Sequence, residues 1–160
     1  MFFPAARTTL RAAAGVARRG YADVADGALK LSLVLPHQAI FSTQGVTQVN
    51  IPAVSGDMGI LANHVPTVEA LRPGLVEVIE SAGSSKKFFV SAGFATVHAN
   101  NSMTINAVEA YELDKFSPEA VRAGLADAQR VIGSNATEQD KAEARIEVEV
   151  FESIQSALSK

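Results

Sequence analysis

The sequence predicts a β + α chain, an N-terminal antiparallel β-sandwich followed by a C-terminal antiparallel two-helix hairpin. Three observations carry that expectation. Between Leu29 and Leu113, short runs of Val, Ile, Leu and Phe alternate with polar residues at period two and are punctuated by Gly, Pro and Asn. Beyond Asp114 the apolar spacing becomes helical, twice over, with Gly133-Ser134-Asn135 as the break. Hydrophobic residues make up 48% of the 160 residues, aromatics only 6% with no Trp, which suits one aliphatic core of ordinary size and a small appendage.

Taken in order, residues 1–21 differ from all that follows. Arg7, Arg11, Arg18 and Arg19 lie among alanines with Thr8 and Thr9, and no acid occurs before Asp23. On a helix, Phe3, Leu10 and Val16 leave the arginines to one side, the profile of a mitochondrial transit peptide; Arg19-Gly20-Tyr21-Ala22 resembles a processing site cutting after Tyr21. The alternative is a basic tail that binds a partner, and N-terminal sequencing of the mature chain separates the two. Without those arginines the 14 basic residues fall to 10 against 17 acidic ones, so a net charge of −3 becomes −7. Such an acidic body is ill suited to nucleic acid. The chain has no cysteine, which removes disulfides, thiol nucleophiles and thiolate metal sites together. No apolar run reaches the roughly 20 residues of a spanning helix.

Residues 22–28 read as a linker into a β-domain over 29–114. Leu29, Leu31, Leu33 and Leu35 alternate with Lys30, Ser32 and Val34, and Pro36 ends the strand. Ala39–Ser42 is a second short run. Gly45 precedes a third, Val46–Ile51, with Val49 and Ile51 on one face and Gln48 and Asn50 on the other. Leu75–Ile79 and Lys87–Ser91 pair across a loop at Ala82-Gly83-Ser84-Ser85, Gly93 breaks the ladder, and Asn100-Asn101 turns Phe94–Ala99 into Ser102–Asn106. A last extended run covers Val108–Leu113. Short strands with tight turns suit a sandwich or a barrel alike.

The hairpin occupies 115–160. Ser117, Pro118 and Glu119 are N-cap, first-position and dipole-complementing residues; Val121, Leu125, Ala128 and Ile132 form one narrow stripe. Thr137 can cap a second helix whose stripe is Ile146, Val150, Phe151, Ile154 and Leu158. Arg145–Val150 alternates like a strand, but more than twenty residues without Gly or Pro favour helix. Ala123, Gly124, Ala126 and Ala128 leave little bulk between backbones, so close antiparallel packing is expected, and it offsets the roughly 1 kcal/mol that Gly124 costs in helix propensity.

The most informative stretch runs from Ser55 to Glu77. Gly56-Asp57-Met58-Gly59 reads as a tight projecting turn, His64-Val65-Pro66 holds Val65 extended, and Arg72-Pro73-Gly74 suits a type II turn. Ser55, Asp57 and His64 supply hydroxyl, carboxylate and imidazole, yet no strained elbow presents a nucleophile. His37, His64 and His98 lack paired-ligand spacing, and no phosphate loop occurs. His64 serves either as a cap of the Pro66 turn or as a contact residue; Asp57 either bonds neighbouring amides or orients a partner from an apolar and acidic tip.

Gly56-Asp57-Met58-Gly59-Ile60-Leu61, then Asn63-His64-Val65-Pro66, then Leu71-Arg72-Pro73-Gly74 resembles the ordered motifs of the ATP synthase delta/epsilon family, from about Leu29 to the chain's end. The resemblance implies a β-sandwich with a helical hairpin and a non-catalytic rotor role, in which ring rotation is passed to the gamma subunit. It further implies that Asp57, Met58, Ile60, Asn63 and His64 face the ring of c subunits. Gly56, Gly59, Pro66, Pro73 and Gly74 shape the turns that present them. The sandwich flank would pack on gamma, and the hairpin would also meet the small mitochondrial epsilon subunit, peripheral to the inner membrane on its matrix side. Some bacterial relatives bind ATP through an I/L-D-x-x-R-A motif. Here Leu113-Asp114-Lys115-Phe116 runs into Ser117-Pro118, with no guanidinium to meet the phosphates, so no cofactor is expected. Two other readings are a nucleotide-sensing regulator of the bacterial type and a stand-alone β-sandwich binding module; two Tyr and no Trp argue against the latter.

Overall fold

The computed structural model describes residues 27–80 and 83–159. The basic N-terminal segment, most of the linker and Ala82 of the expected hairpin loop lie outside them. The strands are β1 (Leu29–Val34), β2 (Ala39–Ala53), β3 (Gly56–Leu61), β4 (Thr67–Leu71), β5 (Gly74–Glu80), β6 (Ser85–Val90), β7 (Gly93–His98), β8 (Ser102–Ala107) and β9 (Ala110–Glu112). A 3-10 turn at Leu113–Lys115 leads to α1 (Pro118–Ile132) and α2 (Glu138–Leu158).

The runs at Ala39–Ser42 and Val46–Ile51 are a single strand of 15 residues. Irregular register against β1 and β5, with Thr43 at φ 56, lets β2 continue past Gly45 where a regular strand would have ended. Its first half pairs with β1, from Val34↔Ala39 to Leu29↔Val46. Its second half lies between β3 and β5, with Gln48 opposite both Leu61 and Ile79. β2 therefore belongs to both layers of a sandwich: β4-β7-β8-β1-β2 on one side and β3-β2-β5-β6-β9 on the other. One pairing departs from the all-antiparallel expectation. β1 and β8 run parallel, Lys30↔Ser102 to Val34↔Asn106, which is open to two strands so far apart in sequence because a long connection separates them.

The predicted alternation fills the space between the layers. Leu29, Leu31, Leu33 and Leu35 meet Val46, Val49, Ile51, Val76, Val78, Phe88, Met103 and Ile105 in one core. In β6, Phe88, Phe89 and Val90 are all buried, which alternation cannot explain unless both faces are covered. They are: Phe88 and Val90 enter the sandwich core, whereas Phe89 enters a second cluster with Val121, Ile154 and Ala157 of the helices.

Ser117 caps α1, its side chain accepting from the Ala120 N–H, and Thr137 caps α2 in a capping box with Asp140. That box starts a helix which continues through Arg145–Val150 and overrides the local alternation. The stripes meet much as expected: Val121 and Ala128 are buried, Leu125 and Ile132 half-buried, Ile154 buried, and Val150, Phe151 and Leu158 pack on the second cluster. Ile146 does not join them. It lies one turn beyond Val150, where α2 has passed the last residue resting on the sandwich, and it stays 64% exposed; Ala144 is the buried residue at that level. Gly124 admits Phe151: a Cβ there would come within 2.5 Å of the ring.

Candidate partner-docking site

The hairpin β2–β3 turns at Val54-Ser55, and Gly56 carries the left-handed φ of 135 just after it. The expected turn at Gly56-Asp57-Met58-Gly59 is thus a strand, with Asp57 opposite Pro52 and Gly59 opposite Asn50. Its side chains alternate accordingly. Ile60 is fully buried and cannot face a partner, because strand geometry sends it inward with Val49 opposite; Met58 is half-buried against the same core. Asp57 remains exposed and meets the Arg72 guanidinium at 2.5 Å, so the first and third sequence motifs close on each other. A Cβ at Gly59 would press on the side-chain ends of Gln48 and Asn50 at 3.0 and 3.2 Å, and Gly74 lies so close to Pro52 that a Cβ would be 2.7 Å from it. Next to it the Pro73 carbonyl accepts a hydrogen bond from Ser153 Oγ at 2.7 Å, tying α2 to the sandwich.

The outward projection is the segment 62–66. Asn63 has φ 62, and its amide N–H donates to Asn101 Oδ1 at 2.8 Å. His64 Nδ1 is 2.8 Å from the Val65 carbonyl oxygen, which can only accept, so the proton is on Nδ1 and Nε2 is left for a contact. Val65 and Pro66 are exposed. Ser55 Oγ donates to Glu69 at 2.9 Å, Asp57 is held by Arg72 and His64 by its own neighbour, so the three groups that could imitate a nucleophilic relay are each engaged elsewhere. His98 Nε2 is 3.3 Å from Thr104 Oγ1 on the sheet surface, and His37 is exposed.

The two outer faces of the sandwich differ. On the β2-β5-β6 side Leu75 and Phe89 are under the hairpin, and Asn50 donates to Glu77 and Gln44 to Glu80, both at 3.0 Å. Hydrogen bonds from Lys86 first and Ser84 next hold the Glu80 carboxyl below its ordinary value. Among the described residues no helix covers the opposite face. Val54, Val68, Phe94 and Val108 are 68%, 66%, 59% and 58% exposed. Phe94 and Val108 line an open cleft of about 570 Å³ together with Val34, Leu35 and Ala70. Within β4, Val68 and Ala70 point outward and Glu69 is half-buried, and the cross-strand pair Ala70↔Phe94 puts Phe94 on the same outer face. Ser117 stands where the nucleotide-binding relatives have arginine, and Phe116 before it packs edge-on to Phe89 at 5.6 Å and belongs to the joint between domains.

A family model described as ATP synthase, Delta/Epsilon chain, beta-sandwich domain matches residues 28–113. The chain belongs to the ATP synthase delta/epsilon family. A second model, the fungal epsilon subunit of F1F0-ATP synthase C-terminal domain, matches residues 116–156. Relatives named mitochondrial ATP synthase subunit delta are 62% identical in Agaricus bisporus (89% of this chain, 87% of that one). In Saccharomyces cerevisiae the identity is 50%, covering 89% of each. A subunit of the Euglena gracilis mitochondrial ATP synthase, solved with OSCP, F1 and the c-ring, superposes with a TM-score of 0.79 at 28% identity, covering 93% of this chain and 91% of that one. As a mitochondrial delta/epsilon family member the chain is a central-stalk subunit and is not catalytic. No helix among the described residues is long and apolar enough to cross a membrane.

Proposed function

We propose that the chain grips two neighbours at once, joining the ring of c subunits to gamma from the matrix side of the inner membrane. The observation that carries this reading is the exposed apolar face of Val54, Val68, Phe94 and Val108, which neither described helix covers. A joint that transmits torque without slipping needs an interface of roughly 1,600 Å² or more with an apolar centre, and this face supplies the centre. Gamma is its partner. The 62–66 segment, with Asn63 exposed and His64 half-buried on a loop and Asp57 and Met58 on the adjoining strand, meets the polar loops of the ring. The outer side of the hairpin, with Ile146 uncovered among Glu143, Glu147 and Glu149, suits the small mitochondrial epsilon subunit.

Cysteine placed at position 64 of this cysteine-free chain should cross-link to a c subunit in the assembled enzyme. Phe94→Glu should leave the folded subunit intact and abolish stable recovery with gamma. Full recovery of gamma by that variant would rule out this face as the gamma contact, and absent cross-linking from position 64 would rule out the ring contact.

A further inference from the structure

Asn101 lies in the β7–β8 turn at φ 57 and reaches three segments at once. Its Oδ1 accepts the Asn63 N–H at 2.8 Å, its Nδ2 donates to the Ala28 carbonyl at 2.9 Å, and its own carbonyl accepts the Lys30 N–H at 3.1 Å. The three partners lie 38, 73 and 71 residues away in sequence, so none of these bonds is a local consequence of the turn. Asn63 is itself in the left-handed region, a conformation that is uncommon for a residue with a side chain and needs outside support to persist. Asn101 provides that support through an acceptor aimed at the Asn63 amide.

We propose that Asn101 is the positioning residue for the 62–66 segment: it fixes the backbone at Asn63, and through it the direction of His64, for contact with the ring. The inference rests on the reading that this segment meets the ring. Asn is suited to the post twice over, since it tolerates positive φ and carries a donor and an acceptor on one planar group. Ser102 reinforces the turn by donating from Oγ to Asn100 Oδ1 at 2.5 Å. The neighbouring position offers no substitute, because Asn100 Oδ1 is already engaged.

Two substitutions separate the support of Asn63 from the stability of the turn. Asn101→Gly keeps the left-handed backbone and removes both side-chain bonds. Asn101→Asp keeps the acceptor for Asn63 and puts in place of the donor to Ala28 an oxygen that cannot bond that carbonyl. In the assembled enzyme carrying cysteine at position 64, Asn101→Gly should lower the yield of the ring cross-link and the protons pumped per ATP hydrolysed. Asn101→Asp should retain both. In the isolated subunit, hydrogen exchange at the Asn63 amide should quicken about fivefold in the Gly variant alone, the equivalent of one neutral hydrogen bond. Equal losses in both variants, or a Gly variant that cross-links and pumps as the parent does, would overturn the positioning role while leaving the ring contact standing. No cross-link from position 64 even in the parent chain would instead remove the ring contact, and this inference with it.

Discussion

Small residues decide where large ones go. The run Ala123, Gly124, Ala126 and Ala128 made a close helix pair legible, but nothing in it named Phe151 as the side chain that enters over Gly124. The contact predicts a reversal of sign. Gly124→Ala should destabilise the parent by about 1–2 kcal/mol, because overpacking against the ring exceeds the propensity gain. In a Phe151→Ala background the same change should stabilise by up to about 1 kcal/mol, and urea unfolding of the four chains measures both. Gly93 is stricter, since a Cβ would come within 2.2 Å of the Asn106 carbonyl oxygen, part of a backbone that cannot step aside. Charge gives a third residue-scale expectation. Hydrogen bonds from Lys86 and Ser84 lower the Glu80 pKa in the folded chain, so their stabilising contribution is present above the unfolded carboxylate value and is lost as pH falls through the folded one. Carboxyl NMR titration should show the Glu80 midpoint rising in Lys86→Met; an unmoved midpoint would remove Lys86 as the cause.

At the scale of elements, the termini of the helices were readable and the length of β2 was not. Ser117 and Thr137 were visible as caps because capping depends on residues three apart, and the box at Thr137 and Asp140 explains why an alternating stretch downstream is helical. β2 read as two runs because Gly45 and its polar neighbours have no apolar face; pairing with β1 and β5, remote in sequence, holds them in one strand. Ile146 was misjudged for a related reason, since helical spacing says which side a residue is on but not how far the supporting surface extends. The hairpin is joined to the sandwich by Phe89, Leu75, Phe116 and the Ser153 bond to Pro73. Ser153→Ala should therefore cost about 1 kcal/mol in the two-domain chain, read by thermal or urea unfolding. A chain ending at Lys115 should still unfold cooperatively, because its core is separate, but should bind a hydrophobic dye at the uncovered Phe89 and Leu75.

For the whole molecule, the exposed apolar face that neither described helix covers should make the free subunit prone to association, and on the reading that gamma docks there the subunit should be stabilised by gamma. Gamma at about a hundred times its dissociation constant should stabilise the chain by roughly 2.7 kcal/mol, visible as a rise in melting temperature. An unchanged melt would contradict a stable gamma interface. Alternating leucines, helix caps and the glycine and proline positions from Gly56 to Gly74 determined by themselves the β-then-α fold class and the family, because each depends on residues near one another along the chain. Only the tertiary structure decided that the turn is Val54-Ser55, that Ile60 faces inward, that Asp57 meets Arg72, and that Asn101 holds Asn63. Those four follow from strand register and from contacts between distant segments, and a one-residue change of register reverses every side chain it carries.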